Sequence, residues 1–139
     1  MSVEANKAVV KATLAALAAA DFDTMLSYLD DDIVFYVIGS TAFSGTITGK
    51  QALLDEVLVP MAAERNEEGY SEELLQIIGE DDVVVTESRG NKTTRSGQQY
   101  NNEYAFFYQF RNGKICQWRC YLDTQLLQST HGNIKNQTS

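Results

Sequence analysis

Between Tyr100 and Phe110 the side chains alternate with a period of two. The even positions read Tyr100, Asn102, Tyr104, Phe106, Tyr108 and Phe110, and the odd positions Asn101, Glu103, Ala105, Phe107 and Gln109. Successive side chains of a strand point to opposite faces, so this pattern predicts a strand with one nearly continuous aromatic face. Asn112-Gly113 follows at once, the strongest short signal for a tight hairpin. A second strand, Lys114 to Leu122, splits into Cys116, Trp118, Cys120 and Leu122 against Ile115, Gln117, Arg119 and Tyr121. A hairpin with such a face is stable only if something apolar covers it.

The first half of the chain supplies the cover. From about Val3 to Ala20, Val3, Val10, Leu14 and Leu17 form one stripe in an alanine-rich background, which predicts a helix able to pack closely on a sheet. Asp21 or Asp23 caps a second, short helix that turns Met25, Leu26 and Leu29 inward. Ile33 to Ile38 is a β-branched and aromatic run, hence a strand. Gly39 to Gly49 reads as a loop or short hairpin, and Lys50 to about Arg65 as a third helix. Leu74 to Ile78 and Val83 to about Thr93 are further strands, and Ser96-Gly97 marks a turn. Helices followed by an antiparallel meander define an α+β class.

With 139 residues the chain suits a single domain, expected over 1–129, with a polar tail over 130–139. The net charge of −8 and the lack of any Lys/Arg cluster exclude a phosphate-backbone binder, so no nucleic acid is expected. Cys116 and Cys120 stand four apart on one strand, about 13 Å, too far for a disulfide within it. They lack metal-site spacing, and two free thiols fit a reducing compartment. The N-terminus has no signal-peptide pattern and no run spans a bilayer, so a cytoplasmic protein without membrane contact is expected. Asn91-Lys92-Thr93 and Asn136-Gln137-Thr138 match the glycosylation pattern, which carries little weight without a secretory signal.

A buried tyrosine or asparagine needs a hydrogen-bond partner, or costs roughly 1–3 kcal/mol. Asn102, Tyr104 and Tyr108 on one aromatic face therefore suggest a pocket holding water or ligand, with Tyr36, Phe106, Trp118 and Cys120 as further lining. The plain alternative is that each ring is simply core. Glu87 and Arg89, two apart, share a face. If it is the concave one, they place a carboxylate and a guanidinium inside; otherwise they lie on the solvent side. Asp123 either acts as acid/base or caps a short helix over Thr124 to Gln128. His131, the only histidine, falls in the polar tail.

Val9-Val10-Lys11-Ala12-Thr13-Leu14, then Ala20-Asp21-Phe22-Asp23 and Leu29-Asp30-Asp31-Asp32-Ile33, resembles the opening of nuclear transport factor 2-like proteins. Gly97 to Tyr104, Asn112-Gly113-Lys114-Ile115 and Tyr121-Leu122-Asp123 are similar to the SnoaL-like branch. Over residues 5 to 128 the resemblance implies a curved sheet closed into a cone by helices, and a homodimer through its outer face. It implies a cofactor-independent isomerase, cyclase, lyase or hydrolase acting on a small hydrophobic molecule, or a binding or dimerisation module of the same fold. Glu87 would then be the base, with Arg89, Asn102 and a tyrosine such as Tyr104 or Tyr108 holding the substrate oxygen and Trp118 forming an apolar wall. The isomerase base position carries Tyr36, Val37 and Ile38, without a carboxylate. Trp118-Arg119-Cys120-Tyr121-Leu122-Asp123 is similar to a limonene epoxide hydrolase stretch, with Cys120 in place of its water-activating aspartate. Asp123 lies near the acid/base aspartate of the polyketide cyclases.

Overall fold

A computed structural model describes residues 2–134. Ser2 caps α1 (Val3–Ala18) through the Ala5 amide, and Asp21 caps α2 (Phe22–Ser27) through the Thr24 amide. β1 (Leu29–Val37) and β2 (Gly45–Thr48) form the expected short hairpin. The third helix begins as α3 (Lys50–Leu53), widens into a π turn over Leu54–Leu58 and ends as α4 (Val59–Ala63). Pro60 has no N–H with which to continue the regular ladder, a reason for the widened turn beside it. Then follow β3 (Arg65–Glu80), β4 (Val83–Thr94), β5 (Glu103–Arg111), β6 (Lys114–Leu122) and α5 (Thr124–His131).

The strands form one curved sheet in the order β2-β1-β6-β5-β4-β3, not closed into a barrel. All neighbours are antiparallel except β1 and β6. The sheet and helices give the expected cone-shaped α+β fold. Asn112 (φ 53°) and Gly113 (φ 78°) both take the left-handed conformation that a two-residue hairpin turn requires.

The aromatic alternation of β5 faces inward as read: Phe106, Tyr108 and Phe110 are buried in one apolar core with Val10, Leu14, Met25 and Ile33. β6 departs from the simple pattern. A register irregularity opposite Gln109 and Phe110 adds a residue, so Ile115 is buried with Trp118 and Cys120. Cys116 is only partly buried and sends its thiol to the Gln109 carbonyl at 3.4 Å. β3 is far longer than its apolar segment, since it continues back through a polar stretch to Arg65. No helix among the described residues is long and apolar enough to cross a membrane.

Candidate functional site

The inner sheet face, α1, the π turn and α5 enclose a cavity of about 120 Å³. Phe35, Val37, Phe43, Phe106, Trp118 and Leu127 make most of its wall apolar. An apolar cavity of roughly 150 Å³ can hold a benzene molecule, so this one suits a ligand near that size. Its polar groups are Arg65, Tyr70, Glu72, Lys92, Tyr100 and Tyr104.

Glu72 is the carboxylate of this cavity. Tyr70 and Glu72 sit on β3 two apart, hence on one face, opposite Lys92 and Gly90 of β4. The Tyr70 hydroxyl donates to Glu72 Oε1 at 2.6 Å, while Oε2 is buried with no partner among the described residues. Burial raises the pKa of Glu72, and the Tyr70 hydrogen bond opposes the rise. Burial also raises Tyr70, helped by the neighbouring Glu72 charge. Gly90 makes the arrangement possible: a Cβ there would lie 2.8 Å from the Tyr70 hydroxyl oxygen and 3.1 Å from the Tyr104 ring. The two tyrosines thus close over bare backbone.

Further unpartnered buried atoms lie on the same inner face: Thr86 Oγ1 and Ser88 Oγ on β4, Tyr108 OH on β5 and Trp118 Nε1 on β6. Tyr108 and Thr86 interact, yet neither atom reaches hydrogen-bonding geometry. Buried polar groups are ordinarily satisfied, so such a concentration marks a place where water or ligand belongs.

A cationic pair lines the cavity as well. Arg65 donates to the Leu17 and Ala18 carbonyls at the C-terminus of α1, at 3.0 and 3.2 Å, and lies over the Tyr70 ring. Lys92 is 3% exposed. It donates to the Met61 carbonyl at 2.8 Å and meets His131 Nε2 at 2.8 Å. Burial, with the nearby Arg65 charge, holds the Lys92 amine down to about 8. Burial and Lys92 hold His131 down to about 3, so its ring is neutral at pH 7.

Of the sequence-derived lining residues, Tyr104, Phe106, Trp118 and Cys120 do border the cavity. Tyr108 is on the same face but packs deeper, fully buried beside Trp118. Tyr36 is a correction: it lies on the outer face, its ring 6.3 Å from Tyr121, because the inward residues of β1 are Ile33, Phe35 and Val37. Asn102 is fully buried but has no capacity left for a ligand. Its Oδ1 accepts from the Glu103 and Asp123 amides at 2.8 and 2.9 Å, and its Nδ2 donates to Tyr100 OH and the Asp123 carbonyl, both at 3.0 Å.

Glu87 and Arg89 are also corrected. They are exposed on the convex face, because the alternation of β4 turns Thr86, Ser88 and Gly90 inward. Arg89 pairs there with Glu103 at 3.4 Å. Asp123 is exposed and caps α5 by accepting from the Leu126 amide at 3.1 Å. His131 is fully buried at the end of α5, so the polar segment from residue 130 begins inside the fold; 135–139, with Asn136-Gln137-Thr138, lie outside the described residues. No cluster of His, Cys, Asp and Glu among the described residues has metal-binding geometry.

Residues 10–118 match the SnoaL-like domain family. The chain belongs to the SnoaL-like family. Its fold recurs in Bal32a from a soil-derived mobile gene cassette, with 19% identity, a TM-score of 0.81 and coverage of 93% of this chain and 98% of that one. An LEH-like epoxide hydrolase of M. tuberculosis shares 22% identity over 98% and 97% of the two chains, with a TM-score of 0.74. TerC, co-crystallised with polyporic acid, shares 19% identity over 94% and 98%, with a TM-score of 0.77. No match was found among curated proteins. At these identities the structural likenesses show the fold alone, and the cavity chemistry rests on this chain's own residues.

Proposed function

We propose that this SnoaL-like protein binds a small, mainly apolar molecule in the cavity and moves a proton on it, as an isomerase, lyase or hydrolase, with Glu72 as the general base. The observation that carries this reading is Glu72 itself: one oxygen held by Tyr70, the other buried without a partner among the described residues, in a chamber with a mostly apolar wall. A carboxyl whose pKa burial raises is a stronger base than an ordinary surface carboxylate, which suits it to proton transfer. Tyr104 is suited to donate to an oxygen on which charge develops, while Tyr70 holds Glu72 in place and Trp118 and Phe106 exclude water. The epoxide hydrolase among the structural relatives fits a reaction of this class.

Hydration of a small epoxide and α-proton exchange of a small ketone in D₂O, followed by NMR, test the reading directly. Glu72→Gln keeps an acceptor for Tyr70 and is expected to lower the catalysed rate about 10²- to 10⁴-fold. Its melting temperature should be unchanged or higher, since a buried carboxyl is removed. Equal rates in wild type and variant would remove Glu72 from the reaction. A ligand that co-purifies and is recovered unchanged would make the cavity a binding site without chemistry.

The outer face bears Tyr36, Phe107 and Tyr121, with the Arg119 guanidinium over the Phe107 ring. A second copy of this chain is the proposed partner for this face. Light scattering should give twice the 15.5 kDa chain mass, and Tyr121→Lys should return the monomer. A monomeric wild type at about 0.1 mM sinks the dimer, since stable homodimers persist well below that concentration.

A further inference from the structure

The inward-facing groups that proton transfer by Glu72 leaves unused include one nucleophile with an incomplete bonding shell. Lys92 lies in the cavity wall and forms no ion pair among the described residues; the Glu64 charge favours its ammonium, but less than burial and Arg65 disfavour it. Both of its hydrogen-bond partners serve as acceptors. The Met61 carbonyl, in the last turn of α4, accepts from Lys92 at 2.8 Å beside a longer bond from the Glu64 amide at 3.3 Å. On the other side, the Thr130 hydroxyl turns its proton to the helix carbonyls, Leu126 at 2.7 Å and Leu127 at 3.5 Å, and so accepts from His131 Nδ1 at 2.6 Å. That relay leaves the lone pair of His131 on Nε2, facing Lys92.

Two acceptors satisfy the two N–H groups of a neutral amine and leave its lone pair without a partner, whereas the third proton of an ammonium would meet only the Tyr100 ring, whose centroid is 5.7 Å from Nζ. Arg65, in the same wall, further disfavours the ammonium. A lysine desolvated in an apolar pocket beside another cation is a known route to an amine nucleophile.

From this geometry we infer that Lys92 captures a small aldehyde or ketone in the cavity as an imine. The inference rests on the reading of the cavity as a ligand site and narrows its ligand class to carbonyl compounds. The amine nitrogen bonds to the carbonyl carbon as the π pair moves to oxygen, giving a carbinolamine. Both amine protons then depart with that oxygen as water, leaving a C=N bond; no oxidant or reductant is consumed.

Benzaldehyde, close in size to the cavity, is the probe, with sodium cyanoborohydride to reduce any imine irreversibly. The full chain is labelled at pH 8, and peptide mapping reads each lysine. Lys92 is expected to acquire its benzyl group about tenfold faster than the exposed Lys11 and Lys114, despite its burial. Benzyl alcohol, which can fill the cavity but cannot form an imine, should slow labelling at Lys92 alone. Lys92→Met should abolish the fast phase. Because the comparison among lysines is made within the wild-type protein, it stands even if that variant fails to fold. Labelling of Lys92 no faster than of the exposed lysines overturns the inference. In that event, a rise in melting temperature with benzyl alcohol would leave the cavity as a ligand site, and no rise would remove both readings.

Discussion

Asn102→Ala is expected to lower folding stability by about 3–4 kcal/mol, through four lost hydrogen bonds of roughly 1 kcal/mol each. Asn102 joins the start of β5 to the junction of β6 and α5, and each of its polar atoms makes two bonds. Removing the side chain strands the amides of Glu103 and Asp123 and frees the first turn of α5, whose cap is Asp123. Urea denaturation should show the midpoint falling with little change in slope. Tyr100→Phe, which removes only one of the four bonds, should cost about 1 kcal/mol. A loss below about 1 kcal/mol in Asn102→Ala would mean that water replaces the amide, contrary to its burial.

The second large effect is on the pH dependence of stability. The folded-state pKa of Lys92 is held down to about 8 from an ordinary 10.5, so between these values the unfolded chain binds more protons than the native one. Stability must then rise with pH in this window. Up to about pH 9.5, before unfolded tyrosines ionise, the gain should be roughly 1–2 kcal/mol. Lys92→Met should abolish it.

His131 acts in the same direction at lower pH. Its folded pKa of about 3 lies below the ordinary 6.5, so its contribution is present above 6.5 and lost as pH falls toward 3. Glu72, shifted upward, opposes this on the acid side: its burial penalty disappears once it is protonated. Comparing wild type with His131→Gln and Glu72→Gln separates the two. Thermal melts from pH 4 to 9.5 are sufficient. Identical profiles for wild type and Lys92→Met above pH 7 would show that Lys92 is already solvated in the native protein.

Much of this architecture can be read from local pattern. The β5 alternation and the Asn112-Gly113 turn are sharp because burial and backbone conformation each constrain them independently. The cavity carboxylate is harder to read. Glu72 lies in Asn66-Glu67-Glu68-Gly69-Tyr70-Ser71-Glu72-Glu73, a polar segment that looks like a loop. It becomes a strand because an edge strand needs only one inward face, and only Tyr70, Glu72 and Leu74 supply it before the register shift at Leu75.

For Glu87 and Arg89 the shared face is legible, but its sign is not. Period two relates neighbours to one another and does not say which set meets the helices. The inward set, Thr86 and Ser88, is small and polar, an unusual choice beneath a helix and a signal in its own right. His131 also had a signal: it follows Leu127 by four residues, so both fall on the buried side of α5.

The parallel pairing of β1 with β6 has a consequence for how the chain comes to be folded at all. Every other strand pair joins segments consecutive along the chain, whereas Val34–Val37 must wait for Gln117–Cys120. During synthesis, then, the N-terminal helices and the first hairpin emerge with one strand edge open, and no early portion of the chain can finish the sheet. The span closed by that pairing is long, which places its formation late and makes it slow. Phe35 and Trp118, whose rings meet edge to face at 5.4 Å, are brought together by the same event. The only tryptophan thus sits between its hairpin neighbours Phe106 and Tyr108 and the late-arriving Phe35, so the last change in its fluorescence is expected to mark the docking of β1 on β6.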